Sequence, residues 1–303
     1  MAHSTHAHAD DARNDNILIN VNGVLYPREE ARVSVFDSGF MLGDGVWEGL
    51  RVHHGHIAFL DRHLKRLYAG AKALDFHPGP SPEELEARLY ETLRANSMDD
   101  GVHLRLIVSR GVKSTPYQDP RVTISEPTIV IIPEFKEALP STLEKGIRLA
   151  TVHVRRGYSD VQDPKLNTLS KLNCITACIQ ATKAGADEGL MLDPQGFVAT
   201  CNSTHFFIVR DDAVWTSTGD YCLDGITRGV VIELCEQAGI ACAQRNFTLS
   251  DVYGADEAFV TGTFAGVAPV SEVDGRKLTE GRGPMVERLQ GLYLERIKNE
   301  CGR

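Results

Sequence analysis

The order in which strand-like and helix-like patterns follow one another narrows the fold of this chain more than any other feature. Alternating apolar residues in Ile17-Leu18-Ile19 and Val24-Leu25-Tyr26 flank Asn22-Gly23, a pair suited to a two-residue hairpin turn. Val33 to Phe36 and a glycine-rich passage, Asp37 to Gly45, lead into strand-like Val46 to Val52 and Ile57 to Leu60. Leu60, Leu64, Leu67, Ala71 and Leu74 then recur at helical spacing. Ser81-Pro82-Glu83-Glu84 reads as a capped helix start, with proline in the first turn and acids near the positive end.

Strands are expected at His103 to Ser109 and Thr128 to Pro133, separated by a polar loop long enough to be functional. The second half restarts with Ile147 to Val154. A helix to about Ala184 follows, then strands near residues 188–192, 197–200 and 206–209, a helix over 227–238, a strand over 258–261 and a last helix over 284–300. Strands and helices do not alternate regularly and no repeat has a fixed period, so the pattern predicts α+β domains over a doubly wound sheet. Pro140 and the weak pattern around it place a linker at 137–143. It separates a small α+β domain at 16–136 from a larger one at 144–303. Residues 1–15, polar and rich in His and Asp, read as a disordered tail without the apolar core of a signal peptide.

Charge and cysteine content exclude several classes of function. The net charge is −9 with both signs interspersed, so no strip would attract nucleic acid or an anionic membrane surface. No run approaches the roughly 18 apolar residues of a membrane span. Seven cysteines without a Cys-x-x-Cys pair suit a reducing cytoplasm better than a disulfide framework. Cys174 and Cys178, four apart on an expected helix, read as small buried apolar residues. No metal site is expected.

The chemistry concentrates in a few segments. Leu223-Asp224-Gly225-Ile226-Thr227-Arg228 enters a helix through a glycine turn and a hydroxyl, so its backbone N–H groups could cradle a phosphate. Thr261-Gly262-Thr263-Phe264-Ala265-Gly266 at a strand end could form a similar nest, and Arg66 could reach such an anion. Asp163-Pro164-Lys165-Leu166-Asn167-Thr168-Leu169-Ser170-Lys171 carries two lysines around an asparagine, and either amine could bond to a carbonyl cofactor.

These segments resemble the fold type IV pyridoxal-phosphate enzymes, which include branched-chain and D-amino-acid aminotransferases. The resemblance covers nearly the whole chain after the tail. It rests on residues 43–51, His63-Leu64-Lys65-Arg66-Leu67, His103-Leu104-Arg105 with Val108-Ser109-Arg110-Gly111, Ala186-Asp187-Glu188-Gly189-Leu190, residues 223–228, and residues 259–263 ending in Pro269-Val270. It implies a two-domain α+β, D-amino-acid aminotransferase-like fold binding pyridoxal 5′-phosphate. The implied reaction moves an amino group between an amino acid or primary amine and a 2-oxo acid, in a cytoplasmic homodimer. Arg66, Ile226, Thr227 and Thr263 would hold the cofactor phosphate. Trp47, Arg51, Arg105, Arg110, Phe264 and Ala265 would line the substrate side, with arginine forks suited to a carboxylate.

Two positions depart from that family. Its lysine falls at Asn167, which cannot form the covalent bond, and the glutamate that pairs with the pyridine nitrogen falls at Thr200. A threonine hydroxyl there would donate to a neutral nitrogen and weaken the ring as an electron sink. Lys165, about 6–7 Å from Asn167 in an extended chain, and Lys171, four residues on and on the same face of a helix, are the catalytic candidates. Lyase or racemase chemistry on the same cofactor, or a non-catalytic protein holding an anionic ligand, are the alternative outcomes.

Overall fold

The computed structural model describes residues 4–302. The chain divides into two compact units, one of residues 9–137 with 167–171, the other of residues 4–8, 138–166 and 172–302. The five residues 167–171 thus belong with the first half of the chain, although they lie far beyond it in sequence.

In the first unit, β1 (Leu18–Val21) and β2 (Val24–Pro27) form the expected hairpin, with Asn22 and Gly23 both at positive φ. The unit continues with α1 (Ser38–Leu42), β3 (Gly45–His53), β4 (His56–Ile57), α2 (Leu60–Ala73), α3 (Pro82–Ala95), β5 (Val102–Ser109) and β6 (Thr128–Phe135). The strands make one antiparallel sheet in the order β2-β1-β6-β5-β3-β4. Val46, Leu50 and Val52 of β3, with Leu104, Leu106 and Val108 of β5 and Ile129 and Ile131 of β6, form a core with Leu64 and Leu67 of α2 and Leu85 and Leu89 of α3. Period-2 alternation sends Trp47, Gly49, Arg51 and Arg105 to the other face. Ser81 and Glu84 close a reciprocal capping box at α3.

Residues 33–36 are not a strand: they are exposed, and Asp37 then caps the short helix α1 hidden in the glycine-rich passage. Residues 167–169 lie antiparallel to the start of β3. The Trp47 amide donates to the Asn167 carbonyl at 3.0 Å, and the Leu169 amide to the Gly45 carbonyl at 3.0 Å. This close approach explains the two glycines. A Cβ on Gly45 would lie 2.5 Å from the Val108 carbonyl oxygen and 2.8 Å from Leu169 Cδ1, and Gly43, at φ 69°, faces the Ser170 backbone.

The second unit holds α4 (Pro140–Lys145), β7 (Ile147–Thr151), α5 (Ser159–Gln162), α6 (Leu172–Lys183), β8 (Glu188–Leu192), β9 (Val198–Cys201), β10 (His205–Arg210) and β11 (Ala213–Thr216). It ends with α7 (Ile226–Gln237), β12 (Cys242–Gln244), α8 (Leu249–Tyr253), β13 (Glu257–Gly262), β14 (Gly266–Val273), β15 (Arg276–Lys277) and α9 (Pro284–Glu300). Its mixed sheet runs β12-β11-β10-β13-β14-β7-β8-β9, with β15 on β14. The segment read as linker contains α4, because Pro140 sits in the first turn, where a missing N–H costs nothing.

Of the segment read as tail, residues 1–3 lie outside the described residues. Residues 12–16 form a 3₁₀ turn, and Thr5 is buried with its hydroxyl donating to Glu188. The cysteines on α6 also differ from expectation: Cys178 is exposed and Cys174 half-buried, alongside exposed Leu172, Ile175 and Ile179.

Candidate active site

Within the first unit, register places Asn167 opposite Trp47, and the side chains complete what the backbone begins. Asn167 Nδ2 donates to the Trp47 carbonyl at 2.6 Å, and Lys171 Nζ donates to Asn167 Oδ1 at 3.0 Å. Trp47 Nε1 donates to the Thr168 carbonyl at 3.1 Å. The Lys171 amine stands 5.2 Å from the centroid of the indole, and the Arg105 guanidinium carbon 3.8 Å from it. The two cations are therefore no more than about 9 Å apart, the sum of those distances. Lys171 reaches Asn167 without a helix between them, since α6 begins only at Leu172. The expected proximity exists, but it arises in a non-helical stretch and not on a helix face.

The three candidate arginines separate sharply. Arg110 grips Asp44 at 2.7 and 3.2 Å and donates to the Leu74 and Asp75 carbonyls at the end of α2. Its fork is spent on closing a helix terminus, which corrects the reading of Arg110 as a substrate residue. Arg51 is buried and donates to the Lys136 carbonyl, an anchoring contact. Arg105 is half-buried and has no hydrogen-bond partner among the described residues. Burial pulls its guanidinium below the ordinary value, with Glu134 opposing.

Arg66 projects from α2 onto Glu48, with Nε at 2.8 Å and Nη2 at 2.6 Å, and His63 Nδ1 meets the same carboxylate at 2.7 Å. Burial acts to raise the Glu48 carboxyl, but hydrogen bonds from His63 and Arg66 outweigh it and hold the group below its usual range. Burial pushes the His63 imidazole down, so the neutral ring donates to Glu48. Glu48 escaped the sequence reading; a lone acid inside an apolar strand, opposite a His and an Arg three apart on a helix, was the available signal.

In the second unit, Lys165 lies in a turn, exposed, with Asp220 at 3.7 Å. Thr200 is buried, and its hydroxyl donates to the Thr204 carbonyl at 2.8 Å. Its one proton is committed, so toward a further group it offers lone pairs, contrary to the expected donor role. Thr204 in turn donates to Glu188 at 2.8 Å, and burial raises that carboxyl against the opposing hydroxyls of Thr5 and Thr204.

Ile226 opens α7, whose start carries no side-chain cap; Thr227 is buried in its first turn. His205 braces this turn through the Leu223 carbonyl at 2.7 Å, and a Cβ on Gly225 would come 2.3 Å from its ring. Thr263 and Ala265 are half-buried in the turn between β13 and β14, and Phe264 is buried beneath the His6 ring, stacked at 5.5 Å. The adjacent Thr261 hydroxyl is buried without a hydrogen-bond partner. Arg156, also missed from sequence, ties the Pro164 and Tyr221 carbonyls to Asn173. Among the described residues no group of His, Cys, Asp or Glu could hold a metal ion, and no helix is long and apolar enough to cross a membrane.

The two sheets and these residues define an α+β protein of fold type IV. The solved T.th. branched-chain amino acid aminotransferase with pyridoxamine 5′-phosphate superposes with a TM-score of 0.88 at 32% identity, covering 94% of this chain and 95% of that one. A family model described as amino-transferase class IV matches residues 45–273, and the chain belongs to that family. A putative branched-chain-amino-acid aminotransferase of Methanocaldococcus jannaschii is 41% identical over 289 residues, 94% of this chain and 97% of that protein. Branched-chain-amino-acid aminotransferase-like protein 2 of Arabidopsis thaliana is 40% identical over 281 residues, 92% of this chain. This chain spans about half the length of that plant relative, 50%.

Proposed function

We propose that this protein is a pyridoxal-phosphate-dependent aminotransferase moving an amino group between an amino acid or primary amine and a 2-oxo acid. The observation that carries the reading is the Lys171 amine, held 3.0 Å from the Oδ1 of Asn167, the residue at which the family's lysine falls. Lys165 is exposed and beside Asp220, which leaves Lys171 as the amine with a built environment.

The groups present fit the cofactor. The uncapped start of α7 with Ile226 and Thr227, the neighbouring Thr263 turn and the orphaned Thr261 hydroxyl supply donors of the kind a phosphate needs. Arg66, whose guanidinium also meets Glu48, would add positive charge toward the phosphate. When bound, the cofactor supplies the carbonyl that takes up the amino group and the ring that accepts electrons. Lys171 would make the covalent bond and carry a proton, and Thr200 would offer an acceptor to the ring nitrogen. Trp47 would wall the side-chain pocket, with Phe264 and Ala265 beside the phosphate turn.

Arg105 would bind the substrate carboxylate. Arg105→Ala is expected to raise KM for a dicarboxylic donor by about tenfold to a hundredfold, the loss of one charge-assisted bond, while leaving a monoamine donor unaffected. The exposed apolar stripe Leu172, Ile175 and Ile179 on α6 supports a homodimer, and seven free thiols support a reducing, cytoplasmic setting.

The test is a visible spectrum after adding pyridoxal phosphate, followed by an assay of 2-oxo acid formation with and without an amino acceptor. A coloured protein whose product depends on the acceptor is the expected result. Acceptor-independent product would mark lyase chemistry, and a colourless protein would sink the enzymatic reading.

A further inference from the structure

We propose that Asn167 is the positioning residue of the Lys171 amine; this rests on the reading that Lys171 bonds to the cofactor carbonyl. The Asn167 backbone is fixed by pairing with β3, and its amide bridges two groups that each accept only one orientation of it. Nδ2 faces the Trp47 carbonyl at 2.6 Å, which can only accept, and Oδ1 faces the Lys171 amine at 3.0 Å, whose ammonium can only donate. Turning the amide over would set oxygen against oxygen and donor against donor. The side chain is therefore locked, and it holds Nζ 5.2 Å from the centroid of the Trp47 ring. Asn167, where the resemblance places the family's lysine, thus anchors the amine four residues on.

The covalent step gives a readout independent of turnover. The Lys171 amine adds to the aldehyde carbon of pyridoxal phosphate and the aldehyde oxygen leaves as water. Borohydride then delivers hydride to that carbon, and a proton from water completes a stable secondary amine. Peptide mass spectrometry gives the ratio of adduct on Lys171 to adduct on exposed Lys165 in the same chain, so a general loss of structure does not mimic a positioning effect.

In the unsubstituted protein the adduct is expected mainly on Lys171. Asn167→Leu and Asn167→Asp should each lower the ratio by about tenfold or more, as expected for a hydrogen bond to a charged amine, with a modest fall in melting temperature from the lost donation to the Trp47 carbonyl. The aspartate variant fails because a carboxylate cannot donate to the Trp47 carbonyl. The circular dichroism of the visible band should fall in parallel. Should Asn167→Leu not fold, Asn167→Gln, which displaces the amide by one methylene, carries the same test. An unchanged ratio in these variants, with Lys171 still labelled, overturns the positioning role alone. Absence of adduct on Lys171 in the unsubstituted protein overturns the reading beneath it.

Discussion

Two adjacent residues of β3 show how one strand serves two purposes. Glu48 points toward α2, where His63 and Arg66 satisfy it at 2.6 to 2.8 Å in a buried cluster. Trp47 points the other way, where its ring gathers Lys171 and Arg105, and Arg105 has found no acceptor. On the closed face Glu48 is met by His63 and Arg66 within the unit, so the cluster reads as architecture. On the open face two cations share an aromatic ring, and among the described residues no carboxylate hydrogen-bonds the Arg105 side chain, a poor arrangement for stability and a suitable one for receiving an anionic ligand. Location of charge says little by itself; whether the charge is already satisfied is what separates the faces.

Substitution on the open face should therefore cost chemistry and not stability. Lys171→Ala is expected to remove the trapped cofactor adduct and lower amino transfer by at least about a hundredfold, while unfolding shifts by only about 1–1.5 kcal/mol, the worth of its hydrogen bond to Asn167. Peptide mapping and a denaturant titration measure the two effects, and Lys165→Ala serves as the control that changes neither. The closed face should behave in the opposite way. Glu48→Ala strips buried His63 and half-buried Arg66 of their shared acceptor and should destabilise by about 3–5 kcal/mol, read as a lower denaturant midpoint. A Glu48→Ala protein of full stability would dissolve the contrast.

Local patterning made one face legible and left the other obscure. The stripe Leu60, Leu64, Leu67 and Ala71, the Ser81–Glu84 box and the Asn22-Gly23 turn are all short-range signals, and each produced the element expected of it. The pairing of residues 167–169 with β3 joins positions 120 residues apart, and no periodicity announces it. For the same reason Arg110 and Arg51 read as ligand-binding residues: their partners include backbone carbonyls at the end of α2 and at Lys136, invisible in sequence. β11, β12 and β14 were missed because short or proline-containing runs carry little pattern, although Pro269 sits within β14 without breaking it. Lys171 was legible only as an amine near the right place; that a non-helical stretch delivers it to Asn167 depends on the register of β3.

Acid should sharpen the contrast next. His63 is pressed below 6.5 by burial, and His53, at the end of β3, is pressed to about 4 by burial and by Arg51. The unfolded chain takes up these protons near 6.5 while the folded unit resists them, so their contribution is complete above that pH. It should be lost progressively as pH falls toward 4. Glu48, held below 4.5, adds a further loss as pH falls through its depressed value. Thermal melts between pH 7 and pH 4 should therefore decline. In His63→Gln, with Glu48 still accepting a neutral donor, the decline below pH 6.5 should be shallower. An identical slope in that variant would remove His63 from the account.

The smallest effect falls on the ring that joins the two descriptions. Trp47→Phe keeps an aromatic face but loses the indole N–H that donates to the Thr168 carbonyl, and it presents a weaker surface to Arg105 and Lys171. The strand pairing through the Asn167 carbonyl and the Leu169 amide is untouched, and so is the donation from the Asn167 side chain to the Trp47 carbonyl, since that acceptor is backbone. Stability should therefore fall by only about 1 kcal/mol, the worth of one partly buried hydrogen bond. The adduct on Lys171 should persist at reduced yield, because Asn167 still holds the amine while the ring holds it less. A loss of stability matching that of Glu48→Ala would show that the indole, and not the ion cluster on the opposite face, organises β3. Complete loss of the adduct would show that the ring rather than the amide places the amine.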